Sequence, residues 1–120
     1  MKKMWIEIPS DRTLNDGIKS MLISGSRLII VKSNSGNVLG ILTEGDLLRA
    51  SSDNHSQIDS LRLDLIANKN FIYVSSYEEF EKSINKFISS KILYIPVINN
   101  NRKLVDVIDV YSWICEKCGY

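Results

Sequence analysis

The chain has 120 residues, 44% of them apolar, and a formal net charge of +1, which indicates one globular domain or two very small ones that share a core. A pI near 7.7 provides no basic field, so nucleic acid is not expected as the main partner. No apolar run reaches the length of a bilayer span, and Glu7 and Pro9 interrupt any signal-peptide core after the first lysines. We therefore expect no membrane association and a cytoplasmic protein.

The first half of the chain predicts a strand, a helix, a β-hairpin and a second helix. Asp11 is the candidate N-cap of the first helix, and Gly25 is placed to end it. Turn residues at 34–37 separate two apolar runs, which is the pattern of a hairpin. The predicted elements are a strand at 5–8, a helix at 13–23, strands at 28–31 and 38–42, and a helix at 46–50, followed by a polar loop at 51–57.

The second half repeats this order under a constant offset of 66 residues, which places Ile6 on Ile72. Each half by itself is too small to bury a secure core. We therefore expect an α+β fold in which two β-α-β-β-α repeats pack sheet to sheet with pseudo-twofold symmetry. The predicted parts are a first repeat at 1–57, a connecting segment at 58–70 that is partly helical, and a second repeat at 71–120 with strands at 71–74, 92–98 and 104–108 and helices at 77–89 and from 110.

The junction between the strand at 38–42 and the helix that follows carries Thr43 and Asp46, three residues apart. This spacing is typical of a capping box, in which each side chain bonds the other residue's backbone N–H. It also fits a small-ligand site, because a helix N-terminus offers unpaired N–H groups and a partial positive charge. A hydroxyl there can hold a phosphate or ribose oxygen, and a carboxylate can accept bonds from a ribose diol.

The sequence resembles a tandem pair of cystathionine-β-synthase (CBS) domains from residue 6 to residue 114. The apolar runs at 27–31 and 93–97 are similar to the second strand of that family, and the latter run ends in Ile-Pro-Val. Residues 38–48, VLGILTEGDLL, resemble the Gly-x-x-Thr-x-x-Asp signature followed by a helix. Two copies in order at fixed spacing make the resemblance specific.

The resemblance implies a regulatory module and not an enzyme. CBS pairs bind adenosine nucleotides such as AMP, ADP or ATP in their clefts, need no cofactor, and pass occupancy to a fused or partner protein. They commonly form homodimers through their helices. On this chain the resemblance implies that Thr43 contacts ribose or phosphate oxygens and that Asp46 accepts the ribose hydroxyls. The base is expected between the backbone near Ile8 and Ser10 and the start of the second strand at Arg27 and Leu28.

A second, weaker site is implied at the equivalent junction of the second repeat, with Tyr94 on the paired strand. Asp109 stands where the family has Ser or Thr, and Ser112 stands where it has Asp. Asp109 can still cap the helix, but a carboxylate there repels phosphate and Ser112 cannot chelate a diol. Asp106, at the position of Gly40, adds another negative charge. We expect this cleft to be empty or to prefer a neutral ligand such as a nucleoside.

Metal and catalytic chemistry have weak support in the sequence. Cys115 and Cys118 form a C-x-x-C pair, but zinc needs four ligands and a redox pair usually begins a helix after a strand. We expect no metal site and two reduced thiols, with one site shared between two copies as the alternative. The single histidine, His55, lies in a polar loop and is expected to be solvated.

Three functions remain open. The first is a nucleotide-sensing regulatory pair that acts on a fused or partner protein of unknown identity. The second is a ligand-free dimerisation module, which the altered second site favours. The third is the regulatory front part of an enzyme, because similar pairs often precede sugar-nucleotidyltransferase domains, an association and not a property of these residues.

Overall fold

A computed structural model describes residues 4–118 of the chain. The chain divides into two compact units, Met1–Phe71 and Ile72–Tyr120. Both units contain strands and helices, so the predicted α+β class is confirmed. The connecting segment, which the sequence places at 58–70, belongs to the first unit.

The first unit is built on a three-stranded sheet of β1 (Trp5–Pro9), β2 (Leu28–Lys32) and β3 (Val38–Thr43), in that order. β1 runs parallel to β2, and β2 and β3 form the predicted antiparallel hairpin. The loop expected at 51–57 is partly helical, because α2 continues beyond Ala50. The elements are β1 Trp5–Pro9, α1 Leu14–Ser24, β2 Leu28–Lys32, β3 Val38–Thr43, α2 Glu44–Asp53, a 3-10 turn His55–Gln57, and α3 Leu63–Ile66.

The N-cap of α1 is Thr13, so the expectation for Asp11 was wrong. The Thr13 hydroxyl accepts the Asp16 N–H at 3.2 Å, and the Asp16 carboxylate accepts the Thr13 N–H at 3.0 Å. The Thr13 backbone N–H, and after it the Thr13 hydroxyl, stabilise the Asp16 carboxylate and hold its pKa below the ordinary value. Asp11 has Leu14 three residues later, which cannot return such a bond, so the complete box is formed two residues further on. Gly25 ends the helix with φ 69°, as predicted.

The connecting segment closes the outer edge of β3, and this explains the glycine of the Gly-x-x-Thr-x-x-Asp signature. Ile41 and Asn68 exchange two backbone hydrogen bonds, of 3.1 and 2.9 Å. A Cβ atom on Gly40 would lie 2.8 Å from the Asn68 carbonyl oxygen and 2.9 Å from the Ala67 Cβ. Only glycine therefore allows the segment to approach β3 so closely.

The second unit has a two-stranded sheet of β4 (Tyr94–Ile98) and β5 (Leu104–Asp109) and, up to residue 118, three helices. The helix predicted at 77–89 is divided at Ser83, whose φ of −108° and ψ of 6° leave the helical range. Serine competes with the backbone for hydrogen bonds, which makes it a weak residue for a helix interior. The elements are α4 Tyr77–Lys82, α5 Ile84–Ser89, β4 Tyr94–Ile98, β5 Leu104–Asp109 and α6 Val110–Cys118.

The strand predicted at 71–74 is not formed, and only Val74 makes a parallel bridge, to Val97. Its N–H donates to the Pro96 carbonyl at 3.0 Å, and its carbonyl accepts the Ile98 N–H at 2.8 Å. The next parallel bond, towards Ile72, requires an N–H on residue 96, which proline lacks. The Ile-Pro-Val ending of β4 therefore limits the ladder that the apolar run at 71–74 predicts.

The hairpins of the two units have the same register, which confirms the internal duplication. Leu28 pairs with Thr43 in the first unit, and Tyr94 pairs with Asp109 in the second, an offset of 66 residues on both strands. The register shift after Val31 recurs after Val97. Each unit also has its own core: an aliphatic cluster that includes Leu14, Ile29 and Leu42, and one in which Phe80 stacks on Phe87 at 5.8 Å and meets Trp113 edge-on at 5.3 Å.

Candidate functional site

The candidate site is the N-terminus of α2, where β3 ends. Thr43 and Asp46 form a complete capping box: the Thr43 hydroxyl accepts the Asp46 N–H at 3.2 Å, and Asp46 Oδ2 accepts the Thr43 N–H at 2.9 Å. Arg49 donates to the other carboxylate oxygen, Oδ1, at 2.7 Å. Leu28 lies directly beside Thr43, because the two residues are paired across the hairpin. The capping interpretation of this motif is therefore correct.

The capping box leaves ligand-binding capacity at both side chains. A threonine hydroxyl that accepts one bond still has its hydrogen to donate, and a carboxylate has about four lone-pair sites, of which two are used here. The Arg49 side chain is 68% exposed, and an exposed ion pair of this kind contributes about 0–1 kcal/mol. A ligand hydroxyl can therefore share or replace the Arg49 contact at small cost.

An open pocket of about 610 Å³ lies beside this junction, between α1 and α2. The volume is within the range of small-molecule pockets. Its floor is apolar, and its polar groups include Arg27 and Glu44, which are both exposed. Leu22 and Leu48 at its rim are 78% and 74% exposed. The lining residues are Ile18, Met21, Leu22, Gly25, Ser26, Arg27, Glu44, Gly45, Leu47, Leu48 and Ser51.

The structure does not bring Ile8 and Ser10 together with Thr43 within the first unit. Ile8 pairs with Val31, three residues along β2 from Leu28, which corresponds to about 10 Å at the rise of a strand. The Ile8 side chain is part of the core, and Ser10, also buried, donates its N–H to the Lys32 carbonyl at 2.8 Å. Their contact with the base stays a prediction.

The three residues of the second predicted site do lie together, at the N-terminus of α6. Tyr94 pairs with Asp109, and the Asp109 carboxylate accepts the Ser112 N–H at 3.2 Å. The predicted capping role of Asp109 is thus present. The Val110 N–H, first in the helix, is bonded to the Leu93 carbonyl at 2.9 Å.

The two helix N-termini differ at this first N–H. Glu44 occupies the position in α2 that Val110 has in α6, and its N–H makes no such backbone bond within the described range 4–118. The free N–H groups at the start of a helix are the groups that bind anions. The first unit therefore offers a donor that the second unit has already used.

Arg49 is the residue that the sequence reasoning missed. It follows Asp46 by three residues on α2, the spacing at which side chains on a helix meet. That spacing could have identified it from the sequence. Its contact gives Asp46 a cation on one side, while the backbone N–H of Thr43 holds the other.

The remaining candidates have no site around them. His55 is exposed in the 3-10 turn, and Cys115 is an exposed free thiol on α6, while the side chain of Cys118 lies outside the described part of the chain. Across residues 4–118 there is no group of three or more His, Cys, Asp or Glu side chains placed to hold a metal ion. None of the helices in this range is long and apolar enough to cross a bilayer.

Comparison with known proteins finds a family match for the part of the chain that contains this site. Residues 1–53 match the family model of the CBS domain. A homoserine O-acetyltransferase from Methanosalsum zhilinae is 29% identical over 108 residues, which make up 90% of this chain and 21% of that protein. The chain therefore spans about one fifth of the length of the curated relative that it matches.

Solved structures share the fold over nearly the whole chain. Staphylococcus aureus OpuCA is 18% identical with a TM-score of 0.81, covering 95% of this chain and 92% of that one. The Listeria monocytogenes CbpB protein in complex with c-di-AMP is 9% identical, with a TM-score of 0.80 and coverage of 96% and 87%. The cytosolic domain of the Mg2+ channel MgtE in complex with ATP is 17% identical, with a TM-score of 0.75 and coverage of 92% and 44%.

At sequence identities this low, the solved structures show a common fold only. The family match covers residues 1–53, which include the signature residues Thr43 and Asp46. The duplicated hairpins extend the same architecture into the second unit. Residues 1–53 therefore match the CBS domain, and the second unit repeats the hairpin of that domain in the same register.

Proposed function

We propose that this chain is a regulatory module that binds an adenine nucleotide, AMP, ADP or ATP, at the N-terminus of α2. The observation that carries the proposal is the combination of the Thr43 hydroxyl, the Asp46 carboxylate and the unused Glu44 N–H at one end of a ten-residue helix. The module senses the nucleotide and passes occupancy to a fused or partner protein. It carries out no reaction itself.

Each group has a defined part in binding. The Thr43 hydroxyl and the Glu44 N–H, at the start of α2, donate to phosphate oxygens, and the positive end of the helix dipole supports this binding. The Asp46 carboxylate accepts the ribose hydroxyls, after its exposed bond to Arg49 is shared or broken. Arg27, exposed at the same junction, adds a positive charge for the phosphate. Leu28 contributes backbone beside Thr43, because its side chain is buried.

The solved neighbours support adenine as the base. Two proteins with this fold have been solved in complex with ATP and with c-di-AMP, and both ligands contain adenine. Those ligands belong to those proteins, and at 17% and 9% identity they support a class of ligand for this chain without defining one member of it.

The second helix N-terminus is a poorer phosphate site. Its first N–H is bonded to Leu93, and two carboxylates, Asp106 and Asp109, lie on the strand that leads to it. Like charge near a phosphate is unfavourable. We propose one nucleotide per chain, with the second site empty or occupied by an uncharged nucleoside.

The chain also forms a homodimer in this proposal, through the pocket between α1 and α2. Leu22 and Leu48 are large apolar side chains that remain mostly exposed, and adjacent exposed apolar groups of this size mark interaction surfaces. The rim carries one cation, Arg27, and one anion, Glu44. Neither makes an ion pair with another residue in the described part of the chain.

The experiment is a calorimetric titration of the purified protein with AMP, ADP, ATP, c-di-AMP and adenosine. Binding of one nucleotide per chain, weakened more than tenfold in an Asp46→Ala variant, supports the proposal. A flat titration with every compound refutes nucleotide sensing. The function then favoured is the ligand-free dimerisation module, for which the exposed α1–α2 surface is the supporting observation.

The whole protein is proposed to be an enzyme that this module regulates. The curated relative is named an O-acetyltransferase and is about five times as long as the matched region. This supports a fused acyl-transferring enzyme in place of the sugar nucleotidyltransferase that the sequence association favoured. Homoserine acetylation by the full-length gene product, measured with and without nucleotide, tests it.

A further inference from the structure

The two units close the outer edges of their hairpins in different ways. The outer edge of β3, the side away from β2, is covered by the connecting segment, which exchanges two backbone hydrogen bonds with Ile41 through Asn68. The common register makes Val107 the counterpart of Ile41, so the backbone groups of Val107 point outward from β5. No strand or bridge pairs with this side of β5 in residues 4–118.

A side chain occupies the place of the missing segment. Asp106 is the counterpart of Gly40, and its Oδ1 accepts the Val107 N–H at 2.8 Å. Its Oδ2 accepts the hydroxyl of Tyr77, the first residue of α4. One carboxylate thus satisfies the outward N–H of the edge strand and is itself held by the neighbouring helix.

We infer that Asp106 closes the edge of β5 against pairing with a strand from a second copy of this chain. The first unit provides the steric argument, because a single Cβ at Gly40 would come within 2.8 Å of the Asn68 backbone. A segment that approached β5 as residues 67–68 approach β3 would therefore meet the Asp106 side chain, which is the counterpart of Gly40. The Asp106 carboxylate also accepts the Val107 N–H, to which such a segment would otherwise hydrogen-bond.

The edge needs this protection because its neighbour is apolar. Val105, also on β5, is 56% exposed, and an exposed apolar edge strand is a template for pairing between chains. Charged residues are a common means by which proteins prevent such pairing. The surface concerned is in the second unit and is separate from the α1–α2 pocket proposed for the homodimer.

The test compares Asp106→Gly with Asp106→Asn by sedimentation velocity over a range of protein concentrations. Glycine opens the edge, so we expect concentration-dependent species larger than those of the unaltered chain. Asparagine keeps the volume and an acceptor oxygen, so we expect it to sediment as the unaltered chain does. A folded Asp106→Gly variant without additional association overturns the inference, as does equal association in both variants.

The reciprocal change tests the steric argument in the first unit and does not depend on the folding of the glycine variant. Gly40→Asp should displace the connecting segment from β3, so the Asn68 amide should exchange with solvent at least about fivefold faster, the factor given by the loss of one typical hydrogen bond. Gly40→Ala adds the same Cβ and serves if aspartate prevents folding. Unchanged protection of the Asn68 amide overturns the inference.

Discussion

Replacement of Asp46 by alanine removes two functions of one carboxylate. Asp46 accepts the Thr43 N–H at 2.9 Å as part of the capping box, and we propose that it also accepts the ribose hydroxyls. The loss of a helix cap costs about 1 kcal/mol, or about 3–6 °C in Tm for a chain of this size. The loss of the ligand contact has a separate signature, because it abolishes the stabilisation that the nucleotide adds.

The expected ligand effect is larger than the capping effect. A ligand at a hundred times its dissociation constant stabilises the folded state by about 2.7 kcal/mol, which corresponds to roughly 10 °C here. A thermal-shift assay with and without AMP should therefore show this increase for the unaltered chain and none for Asp46→Ala. The unliganded variant should also melt a few degrees lower.

The chain contains a matched control for the capping effect. Thr13 and Asp16 form a second capping box, at the start of α1, with bonds of 3.0 and 3.2 Å, against 2.9 and 3.2 Å at Thr43 and Asp46. Asp16→Ala should lower Tm in a similar way and keep the full shift with AMP. An unchanged AMP shift in Asp46→Ala refutes the site, and its loss in both variants shows that stability and not contact controls binding.

Three further predictions follow from the structure. Gly40→Ala should destabilise the first unit by about 1–3 kcal/mol through overpacking. Gly45→Ala, whose Cβ would meet only the Thr43 hydroxyl oxygen at 3.8 Å, should instead stabilise α2 by up to about 1 kcal/mol. Urea unfolding measures both free energies, and equal effects would contradict the close approach of the connecting segment to Gly40. Leu48→Asp should yield monomers in sedimentation equilibrium while Leu65→Asp, equally exposed outside the pocket, should not, and a monomeric parent chain would refute the interface. The hydrogen bond to the Asp106 carboxylate raises the pKa of Tyr77. The stability that this bond adds to the folded chain is therefore complete below the unfolded pKa of about 10 and is lost as the pH rises through the higher folded pKa. Above about pH 10 the Tm of Tyr77→Phe should fall less than that of the unaltered chain, and an identical fall would count against the bond.

The fold was accessible from the sequence where the pattern is local. The apolar runs of β2 and β4, the turn residues after them and the offset of 66 residues predict both hairpins, and the structure reproduces that offset residue for residue in the pairing. The N-cap at Asp11 was wrong because the choice between neighbouring caps depends on which residue three positions later can return the bond.

One of the two failures in the second half, the missing strand at 71–74, has a cause that acts between segments. The run at 71–74 has the composition of a strand, yet its pairing depends on an N–H that Pro96, more than twenty residues away, does not have. The helix predicted at 77–89 keeps both of its apolar anchors, Phe80 and Phe87, in one stacked pair in spite of the break at Ser83.

The sequence by itself determined the resemblance to CBS domains, the duplication and the pair of residues at the start of α2, because each is visible as a spacing between residues along the chain. Only the tertiary structure decided which donors remain unused there and why residue 40 is glycine. Those properties depend on backbone from distant segments: the Leu93 carbonyl that uses the Val110 N–H, and the Asn68 carbonyl that leaves no room for a Cβ. Residues far apart in sequence meet only after folding, so no local pattern contains them.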